Sequence, residues 1–576
     1  MFTIPNDNIP KVNNYSDKAG DFTKTFSLDL SREYGSIIPS KMKAATIESG
    51  DLADLREAAA FAFHDSKIFF ASTDYAWSGG DEMTSTFAKT FETADPNGEP
   101  NPSYSDIAIF NGYLYLSGSD EIMKRDPATD NWSTPVTTQL TAARPHLMAV
   151  LGTGAGASRL YVTDDYTQVH SVSTADAIAA TGSYTMNLGL SSEWTITMLE
   201  AGNDLLWIGC LNKYTGAGYM FSWDGATENT PQQSIPLVTG VVAGTVLNGI
   251  PYYLDTRGVL YRYAGASFVE VDRLNFKTPY LLEGAGLATN LRFIHPNGMT
   301  ITDRGTILMF IKNNTEVTGV ADDTCPSGVY EYDPNIGLYH KYALSDSTDG
   351  GMVRLANVGA LFYYRSTGPS STGNGTLLAS AQYYTESGTA YGIFYDDSSE
   401  TVQGYGYFIT PKLFGNVQET WKTATSIYDE LITAADKIVV KYRTGEKNSL
   451  TVEAEWLNAT TFNTTTDVSD FEVGDEVTIV RGDGAGKFMT ITRIEQSSTA
   501  YSITVDSNEY SSTGTIYVRF DNWKALPAIT NKDNKQYSVQ TLREETTSPW
   551  AQFKVHLYLT RKKYYKLVVD QSKNIS

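Results

Sequence analysis

The residue types that do chemistry are plentiful in this chain, but their spacing rarely meets what the chemistry requires. Gly482 to Lys487 (GDGAGK) comes nearest to a phosphate-cradling loop. Phe488 follows the lysine, where a hydroxyl for magnesium is needed, and strand-like flanks supply no helix N-terminus, so a hairpin turn is predicted. The overlapping tripeptide Arg481-Gly482-Asp483 reads as part of the same turn. Ser347 to Gly351 (STDGG) partly matches the Asp-box turn of sialidases, but Arg354 stands where the aromatic belongs and no second copy occurs. His64, His146, His170, His295, His340 and His556 are isolated, with no His-x-His or His-Glu-x-x-His spacing, and are expected to satisfy core or loop hydrogen bonds. The acidic turns Asp126 to Asn131 and Asp164-Asp165 offer oxygens for calcium without the spacing of a dedicated loop. No Gly-x-Ser-x-Gly elbow is present. The sequence therefore assigns no catalytic, cofactor-binding or metal-ligating residue, expects no cofactor, and reads as a non-enzyme; a sialidase-like or glycosidase-like propeller is the enzymatic alternative.

The elements that would position any site follow a repeat. An apolar, aromatic-rich strand returns roughly every 46 residues, a period that points to propeller blades. Seven copies are visible: Asp65 to Thr73, Asn111 to Ser119, Ser158 to Asp165, Asn203 to Asn212, Asn248 to Gly258, Asp303 to Asn313 and Val358 to Ser366. Each opens on a polar or Gly turn and runs into β-branched and aromatic residues, the pattern of a strand buried on both faces. Glu121 to Ser133, Gly218 to Thr227, Gly258 to Val271 and Gly328 to Tyr342 add a hairpin signature, aromatics alternating into an Asp or Gly turn and out again. The excess length of the last two intervals lies in Glu316 to Ser327 and Ser366 to Gly375, read as long loops.

Of 576 residues, 41% are hydrophobic, 37 are Tyr and 19% are charged, which supports real cores in two or three domains. A net charge of −22 repels phosphate, so no direct nucleic-acid specificity is expected. The basic run Arg561 to Lys566 (RKKYYK) reads as a solvated edge strand. Cys210 and Cys325 lie far apart, which predicts no disulfide and a reducing folding compartment. With no basic leader and no apolar run long enough to span a bilayer, the expectation is a soluble product made in the cytoplasm.

The predicted organisation is an N-terminal arm with strands over 1–54, a β-propeller over 55–404, a C-terminal β-sandwich over 405–455 and 521–576, and a small inserted β-barrel over 456–520. The fold class is thus all-β: an about seven-bladed propeller followed by a sandwich that carries an SH3-like barrel insertion. Arg292 to Met299 (RFIHPNGM), Ser327 to Tyr342 (SGVYEYDPNIGLYHKY), Glu419 to Thr444, Ser548 to Thr560 (SPWAQFKVHLYLT) and the VGDEVTIV and GAGK runs of the insertion resemble tail-associated virion structural proteins of tailed bacteriophages. These are strand patterns and carry no catalytic signature. The resemblance implies a structural component of a phage tail, at the distal tail, nozzle or tail tip, made in the bacterial cytoplasm and located in the virion. It implies as partners other phage tail proteins and further copies of the chain, as a ring or trimer, and a host-surface receptor or glycan. The alternative function is a receptor- or polysaccharide-binding tail protein, and a Kelch-like adaptor ranks lower because the double glycine of that repeat is missing.

Overall fold

The computed structural model describes residues 2–4, 24–26, 28–30 and 38–39 and, with internal loop segments omitted, residues 41–274, 276, 293–312, 325–345, 354–396 and 404–573. Among these residues every regular element is a strand, apart from one 3-10 turn at Leu52–Asp54. The GDGAGK run, Ser347 to Gly351, the side chain of Arg354, most of the two long loops and Arg561 to Tyr564 fall outside the described residues.

The chain divides into two compact units, Lys43–Lys312 with Leu355–Asp396, and Met1–Met42 with Asn313–Arg354 and Asp397–Ser576. The first unit is built of propeller-like blades. Four-stranded antiparallel meanders start at Ala60–His64, Asp106–Phe110, Trp194–Gly202 and Val241–Leu247, and one begins at Met148–Gly152 with two short strands on its outer side. A hairpin of Met299–Ile301 with Ile307–Ile311 follows, then Arg354–Tyr364, Thr376–Thr385 and Gly388–Asp396.

Local chemistry sets these hairpins. Asp65 and Ser66, Asn111 and Gly112, Asn203 and Asp204, and Asn248 and Gly249 all take positive φ at both central turn positions. That twist matches the twist of paired strands, and Asn, Asp and Gly tolerate it best. The strand after each turn is deeply buried: Ile68, Phe70, Leu114, Leu116, Leu206, Ile208 and Leu254 are fully inaccessible. Six of the seven repeat copies fall on this second strand. The seventh, Val358 to Ser366, falls on a first strand, Arg354–Tyr364, so the repeat slips by one strand where the Gly/Ser/Thr-rich insertion lengthens the interval. Asx turns close the outer hairpins: Asp126 Oδ1 accepts from Ala128 N at 2.9 Å, and Asp224 Oδ1 from Ala226 N and Thr227 N, both at 2.8 Å.

First strands of successive sheets pack side by side from Ala60–His64 to Met299–Ile301. The strand Arg354–Tyr364 then meets both ends of that series: Ala360 N donates to Ala58 O and Leu361 N to Asn297 O, each at 2.8 Å.

The second unit holds two sheets around one core. The first runs Phe2–Ile4, Tyr565–Lys573, Glu419–Tyr428, Tyr537–Thr541; the second runs Lys24–Phe26, Gly404–Ile409, Trp550–Leu559, Lys437–Arg443, Lys524–Ala525. Trp421, Ala424, Tyr565 and Leu567 from the first meet Phe408, Val440, Tyr442, Phe553 and Val555 from the second. The strand that follows the basic run is therefore an interior strand, and not the solvated edge its charges predict; Tyr565 is fully buried and its hydroxyl pairs with that of Ser426 at 3.0 Å. Within this unit Leu450–Asn458, Thr461–Thr464, Glu476–Arg481, Phe488–Gln496, Tyr501–Val505 and Thr515–Asp521 form a closed six-stranded barrel with its own core of Trp456, Phe462, Ile503 and Phe520.

Candidate functional site

The inner strands of the first unit converge on one carboxylate. Asp106, at the head of Asp106–Phe110, is 8% exposed. Its Oδ2 accepts from Met148 N at 2.7 Å, and its Oδ1 from Ile107 N at 2.8 Å and Asn297 Nδ2 at 3.0 Å. Asn297 Nδ2 also donates to Ala59 O at 3.0 Å, and Leu361 N donates to Asn297 O. One Asp–Asn pair thus ties the inner-strand segments at Ala59, Asp106, Met148, Asn297 and Leu361. Nearby, Asn357 Nδ2 donates to Glu57 Oε1 at 2.9 Å, and Ala58 N to Ser380 Oγ at 2.6 Å.

Burial pushes the Asp106 carboxyl up to about 7, against the pull of its N–H donors. Glu200, on the first strand of the fourth sheet, is pushed up to about 8, first by burial and then by the Asp106 charge. Acids perturbed in this way mark candidate sites. Chemistry of a hydrolytic type needs a nucleophile or an oriented water between them. The donors around Asp106 are amides that hold strands together, so the arrangement acts as a fastening of the inner strands.

The histidines occupy structural positions. His64 Nε2 donates to Gly112 O at 3.1 Å, His146 Nδ1 to Thr163 O at 2.6 Å and His340 Nε2 to Ser327 O at 3.0 Å; His295 Nδ1 accepts from Asn297 N at 3.1 Å. His170 Nε2 lies 3.2 Å from Asp164 Oδ2. The oxygens of the two acidic turns are engaged as well. Asp164 also accepts from Thr141 N and Asp165 N, and these contacts with His170 outweigh burial to hold it at about 2. Asp130 Oδ1 accepts from Arg125 Nε at 2.7 Å, and its Oδ2 from Lys67 Nζ at 3.2 Å. Among the described residues no three His, Cys, Asp or Glu side chains gather as a metal site. Cys210 and Cys325 are both buried and not joined in a disulfide; Cys325 Sγ accepts from the Tyr330 hydroxyl at 3.4 Å, and burial pushes the Cys210 thiol far up.

A second charged cluster lies in the other unit, where the barrel meets its host sheet. In the pairing of Lys437–Arg443 with Trp550–Leu559, Lys441 stands directly opposite Lys554, and Val439 opposite His556. Like charges face to face are destabilising unless a counter-charge intervenes. Glu476, first residue of a barrel strand, supplies it: its Oε1 accepts from Lys554 Nζ at 2.7 Å, its Oε2 contacts Lys441 Nζ, and His556 Nε2 lies 3.6 Å away. Glu476 is inaccessible, and Lys441, Lys554 and His556 are each at most 5% exposed. Although burial opposes ionisation, the two ammonium groups hold the Glu476 carboxyl well below its usual range. Burial brings Lys554 down to about 8 and His556 down to about 3.

Neither cluster was assigned from sequence. A lysine inside each of the apolar strands KIVVKYR and QFKVHLYL was the available signal for the second. Strand alternation puts Lys441, Lys554 and His556 on the face opposite Val440, Val555 and Phe553, and a buried cation implies a partner. Asp106 gives no such signal, because its donors come from distant segments.

Strands alone, in propeller-like blades and a closed barrel, define this as an all-β protein. No family model matches the chain, and no curated protein does. Among solved structures, the extracellular domain of the hybrid two-component system BT4673 from B. thetaiotaomicron is similar at TM-score 0.40 and 11% identity, over 80% of this chain and 47% of that one. Raptor from Chaetomium thermophilum is similar at TM-score 0.38 and 11% identity, over 63% of this chain and 29% of that one. The N-terminal domain of Nup159 gives TM-score 0.36 and 11% identity, over 68% of this chain and 98% of that one. The chain thus spans about half of the first structure and under a third of the second. At this distance the likenesses carry no argument, and the reading of the architecture rests on the sheets themselves.

Proposed function

We propose that this protein is a structural component of a bacteriophage tail, at the distal tail, nozzle or tip, in which an about seven-bladed propeller and a β-sandwich with an SH3-like insertion act as rigid building parts. The observation that carries this reading is where the tail-protein-like strand motifs fall. The strands Glu419–Tyr428, Lys437–Arg443 and Trp550–Leu559 hold those motifs, and they supply the two-sheet core on one side and the lysines that grip the barrel on the other. The resembling residues are thus those that give the module its shape. Consistent with a building part, the buried polar groups described above serve as fastenings between strands. Further copies of the chain and other tail proteins are the partners in this reading, and the assembled protein belongs to the virion.

The test is immunogold electron microscopy of purified particles with antibody to this chain, paired with native mass measurement. Label at the tail end, and a native mass that is a whole-number multiple of 63.3 kDa, are expected. Label on the capsid, or none on the particle, overturns the proposal.

A further inference from the structure

The barrel is inserted into a loop of the two-sheet module, a position in which small domains commonly move on their tethers. The junction here is built differently. The last barrel strand, Thr515–Asp521, passes through Asn522 and Trp523 straight into Lys524–Ala525, which pairs with the host strand: Lys524 opposes Tyr442 and Ala525 opposes Lys441. Trp523 is 4% exposed, and the Arg443 guanidinium stacks over its ring at 4.5 Å. Arg443 is fixed in turn by two N–H donations to Gln552 Oε1, at 2.9 and 2.6 Å. Beside this neck lies the Glu476 cluster, with Lys554 also over the Tyr407 ring at 4.8 Å. Arg519 Nε donates to Asp521 Oδ2 at 2.9 Å on the adjoining barrel strand.

We infer that Glu476, seated between Lys441 and Lys554, fixes the orientation of the barrel on its host sheet, so that the insertion is a rigid outgrowth of the module and not a tethered recognition domain. The physical reason is directional. An apolar contact tolerates sliding and rotation, whereas a desolvated carboxylate bonded to two ammonium groups from adjacent strands has one low-energy seat. Any displacement of the barrel strands the two facing lysines without a counter-charge inside protein. Lys441 and Lys554 are 5% and 2% exposed, so in the seated arrangement neither ammonium group has water to replace the carboxylate. The inference concerns the junction alone and does not depend on the tail reading.

The test is a distance distribution by pulsed electron spin resonance on the full chain, with spin labels at Leu457→Cys on the barrel and Val539→Cys on the host module. Both positions are at least half exposed, and the native cysteines are buried. The unaltered junction gives one narrow distribution. Glu476→Gln removes the counter-charge in nearly the same volume and broadens the distribution roughly twofold. Should that variant fail to fold, the triple change Lys441→Met, Glu476→Leu, Lys554→Met restores folding with an apolar junction, and the distribution is still broader than in the parent. A broad distribution in the parent overturns the inference, as does a distribution in either folded variant that superimposes on the parent's.

Discussion

Two carboxylates, each enclosed by protein, behave in opposite ways. Asp106, among the inner strands of the blades, is driven up to about 7, while Glu476, between the barrel and its host sheet, is driven well below its ordinary value. Burial acts on both in the same direction. What differs is the partner: amide N–H groups around Asp106, two ammonium groups around Glu476. Amides stabilise a carboxylate through dipoles, which here fall short of the cost of desolvation. Full opposite charges exceed that cost, because attraction is least screened where water is absent. The lesson is that an acid in a β core reports the charge of its neighbours more than the depth of its burial.

The largest effect that follows is on Glu476. Glu476→Gln leaves two buried lysines without their counter-charge, a loss of about 3–5 kcal/mol by analogy with broken buried ion pairs. Chemical denaturation should show it as a lower midpoint for the second unit, with the first unit unchanged. Asp106→Asn swaps one oxygen for an NH2 group that faces donors, and costs about 1–3 kcal/mol, read as destabilisation of the first unit. Equal losses in the two variants would break the distinction drawn between them.

The pH dependence sharpens it. Asp106 and Glu200 have folded values near 7 and 8 against ordinary values of 3.8 and 4.5, so the folded state keeps protons that the unfolded chain releases. Their contribution is complete below the ordinary values and is lost as pH rises through about 7 to 8. Glu200 retains some solvent contact, so Asp106 carries the firmer share. Glu476 does the reverse: its contribution is complete above 4.5 and lost as pH falls toward its depressed folded value. Lys554, lowered from 10.5 to about 8, makes the second unit gain stability as pH rises between those values. Melting followed separately in each unit from pH 4 to 10 should give a falling limb for the first, flattened in Asp106→Asn, and a rising alkaline limb for the second, absent in Lys554→Met. Parallel profiles for the two units would contradict the assignment.

How much of this was legible in the sequence follows from how far apart the contributing residues lie. The blade hairpins were readable because Asn111-Gly112 or Asn248-Gly249 followed by an aromatic run is a local signal, complete within ten residues. The barrel was readable for the same reason, from short alternating strands with Gly turns between Phe471 and Ser507. The slip of the seventh copy to a first strand was not, because strand motif and turn look alike in either position. Nor was the interior placement of Tyr565–Lys573, where neighbouring charges argue for an edge and only pairing with Phe2–Ile4 and Glu419–Tyr428 decides otherwise. The Asp106–Asn297 fastening is closed by single bonds that span 191 and 238 positions, which no spacing rule reaches.

The smallest effects test whether the blades depend on neutral contacts throughout. Asn203, in the turn of the fourth sheet, donates Nδ2 to Gly249 O, in the turn of the fifth, at 2.9 Å. Asn203→Ala removes one partly solvated bond, worth about 0.5–1.5 kcal/mol, and also sets an alanine at φ +52°, which adds about 1 kcal/mol. Gly249→Ala is costly for two separable reasons. Gly249 has φ +77°, which an alanine adopts at a cost of about 1 kcal/mol, and its new methyl would stand 2.0 Å from Asn203 Oδ1. Asn203→Ala clears that space but leaves the backbone strain. The double variant should therefore be less destabilised than the two single losses added, by the relieved clash alone, with the lost bond and the backbone costs at both turns remaining. Strict additivity would mean that the methyl meets nothing, and that the two turns do not touch in the folded chain.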